Sequence, residues 1–220
     1  MSTDARPARC VVVVPVKPPT YGKSRLTGLP ADHRRELAEA FALDTVQAAA
    51  ATPGVDAVLV VTDDHRLAAS VRTLGCDVIP DGVSDDLNAT LVQAAAEVAR
   101  RWPGAMPVAL CADLPGLRPV ELAGVLGEVH EQISAGRVAF VRDHTGRGTT
   151  LYAAPADAFA PSFGVASAAR HEAAGAVEVG TAATSVRTDV DDPDDLGAAL
   201  LTGVGPHTTR ASEGRATHSG

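Results

Sequence analysis

Three cations, Lys17, Lys23 and Arg25, are grouped near the start of a chain whose formal net charge is −8. They follow Val11–Val14, a β-branched run bounded by Pro15, which predicts a strand buried on both faces of a parallel sheet. Pro18, Pro19 and Gly22 fix the path of the polar loop beyond it. Ligands of open α/β sheets bind at the carboxyl edge, so a strand that delivers cations there builds an anion site. The same spacing also fits a solvated basic loop. A second set of residues is acidic. Asp113 lies just past an apolar run, in Cys111-Ala112-Asp113-Leu114-Pro115, where a carboxylate can face the crevice and hold Mg²⁺ or simply cap a turn. Asp189 and Asp191 alternate at the end of an expected strand, Ser185 to Val190, and therefore share one face. Converging with Asp113, they would form a hard-oxygen metal site. The remaining acids of the DDPDD run, Asp192, Asp194 and Asp195, fit a helix N-terminus better.

Cations, carboxylates and a sheet edge together suggest phosphoryl or nucleotidyl transfer. No GxxxxGK[ST] loop is present, and no GxGxxG follows the first strand, which excludes a P-loop enzyme and counts against a dinucleotide-binding dehydrogenase. The seven histidines show no HExxH or paired-ligand spacing. An obvious base is not required if the acceptor is itself a phosphate. With a second pKa near ~6 it is mostly dianionic at neutral pH. Positioning, a metal and cationic charge then suffice.

The elements that must position these residues alternate. The 220 residues suit one α/β domain with a mainly parallel sheet. Aromatics make up only 3% against 45% hydrophobic residues, so Ala, Val and Leu must fill the core. Helices are expected over Ala31–Ala51 (capped by Asp32), from Asp64 to about Leu74, over Leu87–Arg101, from Pro119 to about Ser134, and from Asp192 or Asp194 to about Leu201. Strands are expected over Val55–Thr62, Cys76–Pro80 and Pro107–Cys111. Arg137–Arg142 and Thr149–Ala154 read as a further pair across HTGRG, with antiparallel pairing open. A polar loop is expected to carry PSFGVASAARHEAAGA. Residues 1–206 form the expected domain and 207–220 a disordered polar tail. The acidic charge argues against nucleic acid. No apolar stretch approaches the roughly 20 residues of a membrane span, and residues 1–9 carry no signal-peptide pattern. Cys10, Cys76 and Cys111 form no CxxC and read as buried free thiols of a cytoplasmic protein.

Taken in order, VPVKPPTYGKSRL, DLNATL from Asp86, CADLPGL from Cys111, GRGTTLY from Gly146, FGVASAARHEAAGAVE from Phe163 and TDVDDPDDL from Thr188 carry a resemblance. The chain resembles the guanylyltransferases of coenzyme F-420 biosynthesis, the phosphoenolpyruvate/2-phospho-L-lactate guanylyltransferase (CofC/FbiD) family, over roughly Val11 to Pro206. The resemblance implies a Rossmann-like nucleotide-diphospho-sugar transferase fold and transfer of GMP from GTP. GRGT and FGxxSxxRH are similar to the branch thought to use phosphoenolpyruvate, which implies enolpyruvoyl-diphospho-5′-guanosine as product and a downstream transferase that consumes it. It further implies that Thr149, Gly164 and Ser167 bind phosphoenolpyruvate. Asp113, Asp189 and Asp191 would hold Mg²⁺, Lys17, Lys23 and Arg25 the GTP phosphates, and Asn88 would make a nucleotide contact or merely start a helix. Relatives also imply a homodimer. Arg170 and His171 would add charge to the acceptor pocket. The first loop departs from the pattern, with Pro18-Pro19-Thr20-Tyr21-Gly22 where relatives carry Ala and Leu between the lysines. Rival expectations are the same chemistry on 2-phospho-L-lactate, 3-phosphoglycerate or a molybdopterin, and a non-catalytic nucleotide-binding module. Two Tyr, one Trp and four Phe offer little for a pterin pocket.

Overall fold

The computed structural model describes residues 9–17, 26, 28–83, 86–213. Seven strands form one sheet, in spatial order β3-β2-β1-β4-β6-β5-β7. They are β1 (Cys10–Pro15), β2 (Val55–Val61), β3 (Asp77–Ile79), β4 (Met106–Leu110), β5 (Ala139–Arg142), β6 (Thr149–Ala153) and β7 (Val177–Glu178). The strands from β3 to β4 pair in parallel. β6 runs antiparallel to both β4 and β5, and β7 returns parallel to β5. The carboxyl ends of β1, β4 and β5 therefore meet the amino end of β6 at one edge.

β1 is central because all of Val11–Val14 is fully buried. Its alternation sorts the two layers. Val12 and Val14 face Leu43, Val46, Val71, Leu122 and Val125, which come from α1 (Ala31–Ala50), α2 (His65–Thr73) and α4 (Pro119–Ser134). Val11 and Val13 face Leu91, Ala94 and Val98 of α3 (Leu87–Arg101), with Ala168 of α5 (Ser167–Ala173) in the same cluster. Each such valine contributes about 1.5–3 kcal/mol by burial. α3 begins at Leu87 because Asp86 accepts from the N–H groups of Asn88 and Ala89. Among the described residues no helix is long and apolar enough to cross a membrane.

Four local expectations are corrected. Ser185–Val190 is not a strand. Residues Thr184–Arg187 form one helical turn, α6, because Ser185 N–H donates to Glu121 and Ser185 Oγ accepts from Arg118 N–H, tying it to α4. Asp32 does not cap α1; Pro30 enters the helix without a side-chain cap and Asp32 sits in the first turn, facing the positive dipole end. The expected polar loop contains α5, and β7 follows it directly. The expected disordered tail begins instead with a helix, α8 (Pro206–Glu213), packed on α1. Asp44 of α1 accepts from the N–H groups of His207 and Thr208, which have no partner within the helix. The helix α7 (Pro193–Thr202) starts as expected, at a capping box of Asp192 and Asp195.

Candidate active site

The three acids picked from the sequence converge. Asp113, Asp189 and Asp191 each place a carboxylate oxygen within 4.8 Å of the others, and all three are half-buried. The backbone arranges this. Leu114 N–H donates to Thr45 Oγ1 on α1, whose own hydroxyl lies 2.8 Å from Phe41 O, so the turn after β4 is pinned to a helix. Val190 N–H then donates to Asp113 C=O. Val190 is fully buried, which turns its two aspartate neighbours to the opposite side. The alternation expected of a strand thus survives in a short extended segment.

Electrostatics mark the cluster as a crowding of like charges. Burial, then the charges of Asp113 and Asp191, push the Asp189 carboxyl up to about 7. Hard carboxylate oxygens at this spacing suit a divalent cation, whose charge would reverse that penalty. His144 Nδ1 lies 3.2 Å from Asp189 Oδ1, and His144 Nε2 lies 3.5 Å from Asp195 Oδ1. Nothing in the sequence spacing singles out His144. Its place follows from Asp143, whose carboxylate accepts from Arg147 N–H and Thr145 Oγ1 and folds the 143–148 loop back on itself. A Cβ at position 148 would collide with that carboxylate, so any larger residue there has to displace Asp143 from these bonds.

Of the expected phosphate-binding cations, Lys23 and Arg25 lie outside the described residues. Lys17 stands just past β1, where its ammonium is 3.8 Å from Asp81 Oδ2. Asp81 is held in turn by Thr90 Oγ1 and Val83 N–H.

Thr149, Gly164 and Ser167 gather beyond the same loop. Thr149 opens β6 and Ser167 is the first residue of α5; both are buried. Gly164 has φ +116 and Ala166 φ +54. For alanine that left-handed conformation costs about 1–2 kcal/mol, a strain of the kind that gathers at functional sites. The loop is pinned on several sides. Asn88 Oδ1 accepts from Phe163 N–H while its Nδ2 donates to Phe163 C=O, so its amide is occupied with this loop. Arg170 Nη2 also donates to Phe163 C=O, and Ala168 N–H donates to Arg147 C=O. His171, expected to add charge, is instead 1% exposed. Burial, and then the neighbouring Arg170 charge, lower its pKa to about 4.

Residues 10–211 match the family described as guanylyl transferase, CofC like. A phosphoenolpyruvate guanylyltransferase of Streptomyces scabiei is 49% identical over 208 residues, covering 91% of this chain and 94% of that protein. One from Streptomyces coelicolor is 48% identical, covering 90% and 92%. One from Mycolicibacterium vanbaalenii is 42% identical, covering 91% and 93%. Among solved structures, a protein of Desulfovibrio desulfuricans G20 assigned as a nucleotide-diphospho-sugar transferase superposes with a TM-score of 0.67 at 16% identity, covering 94% of this chain and 95% of that one. A cytidylyltransferase of Leptospira borgpetersenii gives 0.58 at 13% identity, with 94% and 93% covered. These structural likenesses establish the fold, that of the nucleotide-diphospho-sugar transferases.

Proposed function

The chain belongs to the family of CofC-like guanylyl transferases, and from that premise we propose that it transfers the GMP moiety of GTP to phosphoenolpyruvate. An oxygen of the acceptor's phosphate attacks the α-phosphorus in line. The new P–O bond forms as the bond to the β-phosphate breaks, giving enolpyruvoyl-diphospho-5′-guanosine and pyrophosphate. The acceptor is dianionic at neutral pH, so no side chain has to remove a proton. The observation that carries the reading is the convergence of Asp113, Asp189 and Asp191 at the sheet edge, beside the loop that leads into Thr149.

In this reading Asp113, Asp189 and Asp191 hold Mg²⁺, which would supply positive charge to the phosphates. Lys17, Lys23 and Arg25 neutralise the triphosphate. Thr149, Gly164 and Ser167 seat the acceptor: two hydroxyls and a glycine N–H form a small anion cradle. Asn88 contributes by holding the Phe163 backbone. The product, a labile mixed diphosphate, is handed to a transferase that joins it to a deazaflavin precursor. The relatives' name for their acceptor supports phosphoenolpyruvate over other small phosphorylated acids.

The test is pyrophosphate release from GTP and Mg²⁺ with phosphoenolpyruvate, 2-phospho-L-lactate and 3-phosphoglycerate offered in parallel. Release with phosphoenolpyruvate alone is expected. Release with another acid moves the specificity and keeps the reaction. Silence with all three, with and without the downstream transferase, would sink the proposal.

A further inference from the structure

His171 occupies a position that no charge-donating role explains. Its ring is buried among aromatic side chains, stacked on Tyr152 at 4.8 Å and flanked by Phe140 at 5.6 Å and Phe163 edge-on at 5.7 Å. The chain has only four Phe, two Tyr and one Trp, so three of its seven aromatic side chains enclose this one ring.

The ring's two nitrogens have different partners. Ser162 N–H donates to Nε2 at 2.8 Å, and Nδ1 lies 3.0 Å from Thr149 Oγ1. A backbone N–H donates only to a bare nitrogen, so Nε2 is unprotonated and the ring's single proton is on Nδ1. Nδ1–H then donates to Thr149 Oγ1. One lone pair of that oxygen is filled, and the hydroxyl hydrogen is turned elsewhere. The low pKa agrees: adding a proton at Nε2 would cost the Ser162 bond and place a charge among aromatic rings. Ser167 and His171 are four residues apart and share the buried face of α5. One ring thus ties together β6, α5 and the loop that holds Gly164.

We propose that His171 is a positioning residue that fixes Thr149 Oγ1 as a hydrogen-bond donor toward the phosphate of the acceptor. The proposal rests on the reading that Thr149 seats the acceptor. It explains why the acceptor side can hold a histidine without depending on its charge.

Two substitutions separate the ring's two bonds. His171→Gln carries its amide to the Nε2 position, so it keeps an acceptor for Ser162 and loses the donor to Thr149. His171→Asn reaches only the Nδ1 position, so it keeps that donor and loses the Ser162 bond. Steady-state kinetics are measured for both and for Thr149→Val, with circular dichroism as the fold control. The acceptor KM is expected to rise about tenfold or more in His171→Gln and in Thr149→Val, with the GTP KM little changed. His171→Asn is expected to show the smaller rise. ¹⁵N NMR of the wild-type imidazole should report a protonated Nδ1 and a bare Nε2. An elevated acceptor KM in Thr149→Val but not in His171→Gln overturns this inference alone, as does a proton on Nε2. A Thr149→Val enzyme with an unchanged acceptor KM overturns the acceptor seat, and the inference with it. Equal rises in both KM values would make His171 a structural residue only. If His171→Gln does not fold, the NMR assignment and His171→Asn decide: an Asn variant as impaired as Thr149→Val overturns the inference.

Discussion

Removing one acid of the carboxylate cluster should stabilise the metal-free fold. Asp189 ionises near 3.8 in an ordinary setting and near 7 here, driven first by burial and then by Asp113 and Asp191. Between those values the folded chain keeps a proton that the unfolded chain has released. The associated stability is fully present below pH 3.8 and is lost as pH rises through 7. Three units correspond to about 4 kcal/mol once Asp189 is ionised in both states. Between pH 5 and pH 8 the loss is about 2–3 kcal/mol, since part of it has already accrued at pH 5. For a chain of this size that is a fall in Tm of about 5–10 °C. The assay is thermal unfolding of EDTA-treated wild type and Asp189→Asn at pH 5 and pH 8, followed by titration with Mg²⁺. The variant should be the more stable protein at pH 8 without metal. Mg²⁺ should raise the wild type and not the variant, because only binding to the folded state contributes. Superimposable pH dependences of the two chelated proteins would refute the argument that these carboxylates repel one another.

Three further outcomes follow from the same geometry. Asp113→Asn should abolish pyrophosphate release while circular dichroism stays unchanged; a variant with wild-type turnover would remove Asp113 from the metal site. Thr45→Val leaves the buried Leu114 N–H without its acceptor, at about 1–3 kcal/mol, and should also weaken Mg²⁺ binding in calorimetry because the Asp113 turn loosens. A stability loss with unchanged Mg²⁺ affinity would show that the turn does not depend on Thr45. Asp44→Ala should cost about 1–2 kcal/mol in urea unfolding and expose the α8 amides to hydrogen exchange ahead of the rest. Uniform exchange across the chain would mean that α8 is held by other contacts.

The central strands and the carboxylate set were legible in the sequence because their signals are local. Val11–Val14 admits little besides a doubly buried strand, and Pro119 opens α4. Asp189 and Asp191 share one side as alternation predicts, although no strand lies beneath them, because Val190 alone supplies the inward residue. What failed depends on partners far along the chain. α6 is a helical turn on account of Glu121 in α4. α8 reads as a polar tail, and its cap, Asp44, comes from 163 residues earlier. His144 and His171 carry no spacing signal, since one is set by the fold of the 143–148 loop and the other by Ser162 and Thr149. Asn88 lies in the first turn of α3 as expected, and its amide is taken up by the Phe163 backbone, a contact 75 residues away that no local signal announces.

The reversed direction of β6 has a consequence for how such a chain can change. Every other strand of the central sheet brings its last residue to the working edge, whereas β6 brings its first, Thr149. The stretch up to Asp113 is one continuous parallel unit, and the residues assigned to the acceptor all follow it. On the proposed assignment the acceptor seat lies wholly in the later length of the gene, which also carries two of the three metal carboxylates, Asp189 and Asp191, while the proposed nucleotide cations Lys17, Lys23 and Arg25 lie in the earlier one. A chimera joined between Asp113 and Ala139, carrying the later segment of a relative with another acceptor, should inherit that relative's acid and keep its own nucleotide. A chimera whose acceptor follows the earlier segment would contradict that division.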